Sequence, residues 1–117
     1  MIKYDLHDSL IESVHYFADQ KRVEIQIELC NWRQIGYKDS DPEILDVSMI
    51  FDGVEKYELS LSDHVFCGNK ILHVTEEGDN TIEIIFLTDV NPETITIKAQ
   101  EISFRTNDEM SRDHFVP

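Results

Sequence analysis

The sequence predicts an all-β, mainly antiparallel domain: a single small β-sandwich or bent barrel of seven to eight strands. Three observations carry this. Isoleucine occurs 14 times and valine 8 times, against two alanines, Ala18 and Ala99. β-Branched side chains suit a pleated surface, whereas alanine is the best helix former. Apolar residues also recur at every second position, and Gly, Asn and Asp punctuate these runs at short intervals. The chain has 117 residues, 41% hydrophobic and 29% charged, which is the composition of one globular domain. We assign residues 1–106 to that domain and residues 107–117 to a polar C-terminal tail without a core pattern.

The elements follow in order. Residues 10–17 form the first arm of a hairpin, with residues 18–22 as its loop. A helix over residues 8–18 is the competing reading, capped by His7-Asp8-Ser9 with Glu12 closing a capping box. Val14, Tyr16 and Phe17 weigh against it. Val23, Ile25, Ile27 and Leu29 alternate with Glu24, Gln26 and Glu28, a strand with one wet face. Leu45, Val47, Met49 and Phe51 continue the pattern. Asp52-Gly53 then precedes Val54, Tyr57, Leu59 and Leu61. This pair reads as a type I′ turn between two strands or as a bulge in one long bent strand.

Residues 71–75 and 81–87 flank Glu76-Glu77-Gly78-Asp79-Asn80 and read as a second hairpin. Ile82, Ile84 and Phe86 share one face of its returning strand, and Ile85 and Leu87 share the other. Such a strand is expected to be central and covered on both sides. Asn91-Pro92-Glu93 is a turn. Ile95 and Ile97 then alternate with Thr96 and Lys98, but the parity slips near Ala99 to Glu101 and resumes at Ile102 and Phe104. A bulge is expected there.

Charge narrows the function. Ten Lys and Arg face 24 Asp and Glu, a formal net charge of −14. A phosphate backbone or an anionic membrane would repel such a surface, so neither nucleic acid nor membrane is an expected partner. The acids are spread evenly: residues 1–60 hold 13 acids and 6 bases, and residues 61–117 hold 11 and 4. Such a field keeps a domain soluble and steers basic protein partners. The N-terminus lacks the apolar core of a signal peptide, and Cys30 and Cys67 sit in no CxxC. A cytoplasmic protein with reduced thiols is the expectation.

Catalytic motifs are lacking. There is no G-x-S-x-G, no HExxH and no glycine-rich phosphate loop. The acidic runs 39–41 and 76–80 do not fit a calcium loop. We therefore expect no enzyme and no cofactor. His7, His15 and His73 leave open an alternative, a small-ligand or metal-binding β-domain.

The longest unpatterned stretch spans residues 31–43. It holds the only tryptophan, with arginine and tyrosine nearby, and these types anchor protein interfaces. Trp32, Arg33 and Tyr37 are the expected anchors of a partner-binding site, with Asp39, Asp41 and Glu43 supplying charge. Trp32 could equally close one end of the core. The oligomeric state stays open, with a homodimer among the alternatives.

Leu6-His7-Asp8-Ser9, a first strand, a short turn and Val23-Glu24-Ile25-Gln26-Ile27-Glu28-Leu29 resemble the opening of a group of small bacterial domains. Met49-Ile50-Phe51-Asp52-Gly53-Val54 and Ile95-Thr96-Ile97-Lys98-Ala99-Gln100-Glu101-Ile102 are similar to its middle and end. The group consists of small acidic β-rich proteins, some assigned as immunity proteins of polymorphic-toxin systems. The resemblance covers most of residues 6–104 and implies fold more than function. It brings no catalytic residue with it. An acidic immunity protein would occupy the basic cleft of a toxin domain, in agreement with the charge.

Overall fold

The computed structural model describes residues 2–106; the tail assigned to residues 107–117 lies outside the described residues. Six antiparallel strands are present among them: β1 (Leu10–Phe17), β2 (Arg22–Cys30), β3 (Ile44–Leu59), β4 (Asn69–Glu77), β5 (Thr81–Leu87) and β6 (Pro92–Thr106). They form one closed sheet in the order β1-β2-β3-β6-β5-β4. Two single 3₁₀ turns, Ala18–Gln20 and Asn31–Arg33, are the only helical pieces among the described residues, and neither could cross a membrane. Residues 10–17 are a strand, as their β-branched and aromatic side chains require. They pair along β2 from Leu10↔Glu28 to Phe17↔Arg22.

The count of six corrects the expected seven to eight. Asp52-Gly53 closes no hairpin. It lies inside the 16-residue strand β3, with Gly53 at φ +66°. The rungs Asp52↔Glu101 and Val54↔Ala99 run straight past it. A glycine in the left-handed region bends the strand sharply without a Cβ clash. Long-range pairing with β6 decides between turn and bend.

The second correction concerns β6. Its inward set does change from Ile95, Ile97 and Ala99 to Ile102 and Phe104. β3 makes a matching change at Gly53, from Val47, Met49 and Phe51 to Val54, so the two strands kink together and stay in register. The register breaks a little later and on β3, between Val54 and Lys56, opposite Ala99 and Lys98. The third correction concerns β5. It lies between β4 and β6, but its outer face is open: Ile85 is half-buried and Leu87 is 43% exposed. A closed sheet has one inside, and among the described residues the outer wall of β5 is only partly covered.

The core fills that inside. Phe51, Phe86, Met49 and the isoleucines 11, 25, 27, 71, 84, 95 and 97 are almost completely buried. The N-terminal segment plugs one opening. Leu6 joins the core, and Tyr4 meets Phe104 edge-on with ring centroids 5.0 Å apart.

The closure between β1 and β4 is thin. Only Leu10↔Lys70 and Ile11↔Asn69 are paired. The residues before β1 extend this seam: Asp8 N–H donates to Ile71 O at 2.9 Å, and Ile71 N–H donates to Ser9 O at 2.8 Å. Ser9 is fully buried, and its Oγ accepts a hydrogen bond from Cys30 N–H at 3.0 Å. A buried hydroxyl needs such a partner.

Candidate functional site

The stretch 31–43 leaves β2 through the 3₁₀ turn Asn31–Arg33 and returns directly into β3. Its two ends are tied. Asn31 N–H and Trp32 N–H both donate to Glu43 O, at 2.9 and 3.3 Å, and Asn31 Nδ2 donates to Pro42 O at 2.7 Å. Inside the loop, Gln34 N–H donates to Asn31 O and Tyr37 N–H to Gln34 O. Lys38 N–H donates to Asp41 Oδ2 at 3.0 Å, Asp41 N–H to Lys38 O at 2.8 Å, and Tyr37 Oη–H to Asp41 O at 3.3 Å. Asn and Asp side chains bind nearby backbone in this way and give a loop internal order.

Two side chains fasten the loop to the seam. Gln34 Nε2 donates to Asp5 O and Cys30 O, at 2.8 and 2.9 Å, while its Oε1 accepts from Asp5 N–H at 2.9 Å. Arg33 Nη1 donates to Asp8 Oδ2 at 3.3 Å. Arg33 Nε lies 3.6 Å from Asp5 Oδ2, too far for a hydrogen bond, and makes none although it is shielded from water. Lys70 Nζ and His7 Nε2 also approach Asp8 Oδ1, at 3.9 and 3.5 Å. His7 Nδ1 lies 2.7 Å from Leu72 O, where it donates. Cys30 Sγ–H donates to the Asp8 carbonyl at 3.3 Å. Burial first, and Asp8 second, push this thiol above its ordinary value, which suits packing rather than nucleophilic attack.

The sequence-predicted residues therefore divide into two groups. Trp32 is 52% exposed, and the Arg33 guanidinium stands 5.4 Å from its ring centroid. Trp32 does not close the core. Arg33 turns toward Asp5 and Asp8, so it positions the indole and anchors the loop. Tyr37, Asp39, Asp41 and Glu43 form the second group. Desolvation, then the charges of Glu43, Asp39 and Asp41, hold the Tyr37 hydroxyl above its usual value.

Ile35 and Ile44 are the residues that sequence reasoning missed. Ile35 is fully exposed and Ile44 is 53% exposed. Ile44 had a usable signal, since it sits out of phase with the inward Leu45 and Val47. Ile35 had none beyond its place before Gly36, which turns the chain at φ +87°.

The histidines only partly converge. His7 and His73 line a shallow cleft of about 300 Å³ together with Asp5 and Glu76. His15 is elsewhere, 6.2 Å from the Phe17 ring. Among the described residues no group of three or more His, Cys, Asp or Glu is arranged to hold a metal ion.

The outer face carries an acidic row. Desolvation and the neighbouring Glu28 and Asp46 raise the Glu12 carboxyl above its ordinary value. Folded Glu12 thus holds its proton more tightly than unfolded Glu12. The contribution of Glu12 to stability is fully present below its unfolded value, near 4.5, and is lost as pH rises through the folded one. Glu12→Gln is therefore expected to raise the midpoint of thermal unfolding at neutral pH, by about 0.5 kcal/mol of stability, the scale of cross-strand like-charge contacts. The gain should vanish in acid. Paired melts at both pH values check this, and an equal gain at both would mean that charge is not its cause.

No family model matches the chain, and no curated protein matches it. Among solved structures, the chain is similar to the crystal structure of an uncharacterized protein from Neisseria gonorrhoeae, over 90% of this chain and 97% of that one, with a TM-score of 0.46 and 14% sequence identity.

Proposed function

We propose that this protein is a non-enzymatic binding module that captures a basic protein partner through the loop 31–43 and the adjoining Ile44 at the start of β3. One observation carries the reading. The loop is fastened at both ends and along its length, yet Trp32, Ile35 and the adjoining Ile44 are exposed beside Asp39, Asp41 and Glu43. Exposed apolar side chains on an ordered, charged loop are poorly explained by solubility alone. An ordered loop loses little entropy on binding, and the indole supplies much contact area. The net charge of −14 adds attraction for a basic surface. The resemblance to acidic bacterial domains makes a toxin domain in a bacterial cytoplasm the partner class of this proposal.

The test starts with a basic protein captured from lysate of the source organism. Its affinity is then measured against the purified protein and two variants, Trp32→Ala with Ile35→Ala, and Trp32→Ala with Tyr37→Ala. Hot-spot anchors predict a loss of more than about 2 kcal/mol, roughly thirtyfold, in each. Unchanged affinity in folded variants would remove the loop from the interface.

The alternative, a small-ligand or metal-binding domain, draws its support from the cleft shared by His7 and His73. A thermal shift with zinc, lost in His7→Ala, would favour it. Indifference to zinc would count against it.

A further inference from the structure

β6 outruns one of its neighbours. It pairs with β3 from Ile95 to Thr106, but with β5 only from Pro92 to Lys98. The last bond to the β4–β5 hairpin is Ala99 N–H donating to Asn80 O at 3.3 Å. Beyond it, residues 100–103 have no strand on their second edge among the described residues. The N-terminal segment closes the far end, where Tyr4 packs on Phe104 and Ile2 N–H donates to Glu76 Oε1 at 2.8 Å. Between these limits lies an open cleft of about 520 Å³. Ile82, Ala99 and Ile102 form its apolar lining, and Glu76, Glu77 and Glu101 stand around it.

An unpaired strand edge presents a row of backbone donors and acceptors to any extended chain of suitable sequence. Adding a strand satisfies that row, while side-chain pockets and charges choose the sequence. Here the charges are acidic. A second copy of this chain would bring its own Glu101 and its own −14 to the same place, so charge opposes self-pairing. Lysine and arginine side chains meet the opposite condition, and the apolar lining suits an aliphatic residue between them. We propose that this cleft binds an extended, lysine- or arginine-bearing peptide segment of a partner protein, which adds a strand to β6 beside residues 100–103. The site shares no residue with the loop 31–43 or Ile44 and stands whether or not that loop binds.

The full chain is titrated with a short peptide of alternating lysine and valine, with amide hydrogen exchange as the second readout. Three results are expected. Amides within residues 100–103 exchange more slowly when the peptide is bound. Backbone N-methylation of the peptide, which keeps its charge but removes its donors, weakens binding about tenfold or more. Glu77→Lys with Glu101→Lys, both exposed positions, weakens it similarly without lowering the unfolding midpoint. The proposal is overturned if the peptide does not bind or if the N-methylated form binds as well. Equal binding of a glutamate–valine peptide also overturns it. So does protection, before peptide is added, of those amides among residues 100–103 that face away from β3, with or without a dimer in light scattering, because the edge would then be occupied already.

Discussion

Replacing Phe51 with alanine is expected to destabilise the protein by about 4 kcal/mol, within the usual range for a buried phenylalanine. The ring is fully buried. Its strand is held on both sides, by the rungs Val23↔Phe51 and Phe51↔Ile102, and the kink at Gly53 follows directly. Backbone fixed in this way cannot move inward to fill the space, so the cavity term adds to the lost transfer energy. Denaturant unfolding of the variant measures the change. Phe17→Ala serves as a control, because Phe17 is 40% exposed and ends the short strand β1. A loss below about 1.5 kcal/mol at Phe51, the scale of a conservative core swap, would mean that the core relaxes there.

Gly53→Ala is expected to cost about 2 kcal/mol, from two separable sources. At φ +66° an alanine is strained whatever surrounds it. Its Cβ would also stand 2.8 Å from Gln100 Cδ and Oε1, and 2.9 Å from Gln100 Cβ. Truncating Gln100 to alanine leaves the last of these contacts, so the informative partner is Gln100→Gly. A double-mutant cycle with Gln100→Gly should return the steric part and leave the backbone part. If the single substitution is neutral, the kink does not need a glycine. If Gln100→Gly returns nothing, the cost is backbone strain alone.

These two sites also show where sequence reasoning reaches and where it stops. β2 is fully legible because one of its faces is wet: Val23, Ile25, Ile27 and Leu29 are buried and the residues between them are not. Alternation is a local record of a local fact. Asp52-Gly53 carries a local signal with two meanings. The choice between them belongs to β6, more than forty residues away, through Asp52↔Glu101. The loop 31–43 was visible as a lack of pattern, and Trp32 and Tyr37 as residue types. Its fastening was not visible, because Arg33 reaches Asp8 and Gln34 reaches Asp5 across separations that no periodicity encodes. The open edge of β6 was hidden for the same reason. It exists because β5 is short relative to β6, and relative strand length shows only once strands are paired.

The partnership of β3 and β6 has a kinetic side. Leu59 pairs with Ile95 and Val47 with Thr106, so the longest ladder of the molecule joins segments that the whole β4–β5 hairpin separates. Closing so long a loop costs entropy before any rung repays it. The hairpin can form alone, since only Gly78, Asp79 and Asn80 separate its strands. By growing onto Thr81–Leu87 through Ile82↔Ile97 and Ile84↔Ile95, β6 shortens the remaining search for β3. On this order the end of the ladder from Phe51↔Ile102 to Val47↔Thr106 is expected to zip last. The Phe51→Ala variant reports this order directly: its lost stability should appear mostly as faster unfolding, with the folding rate little changed.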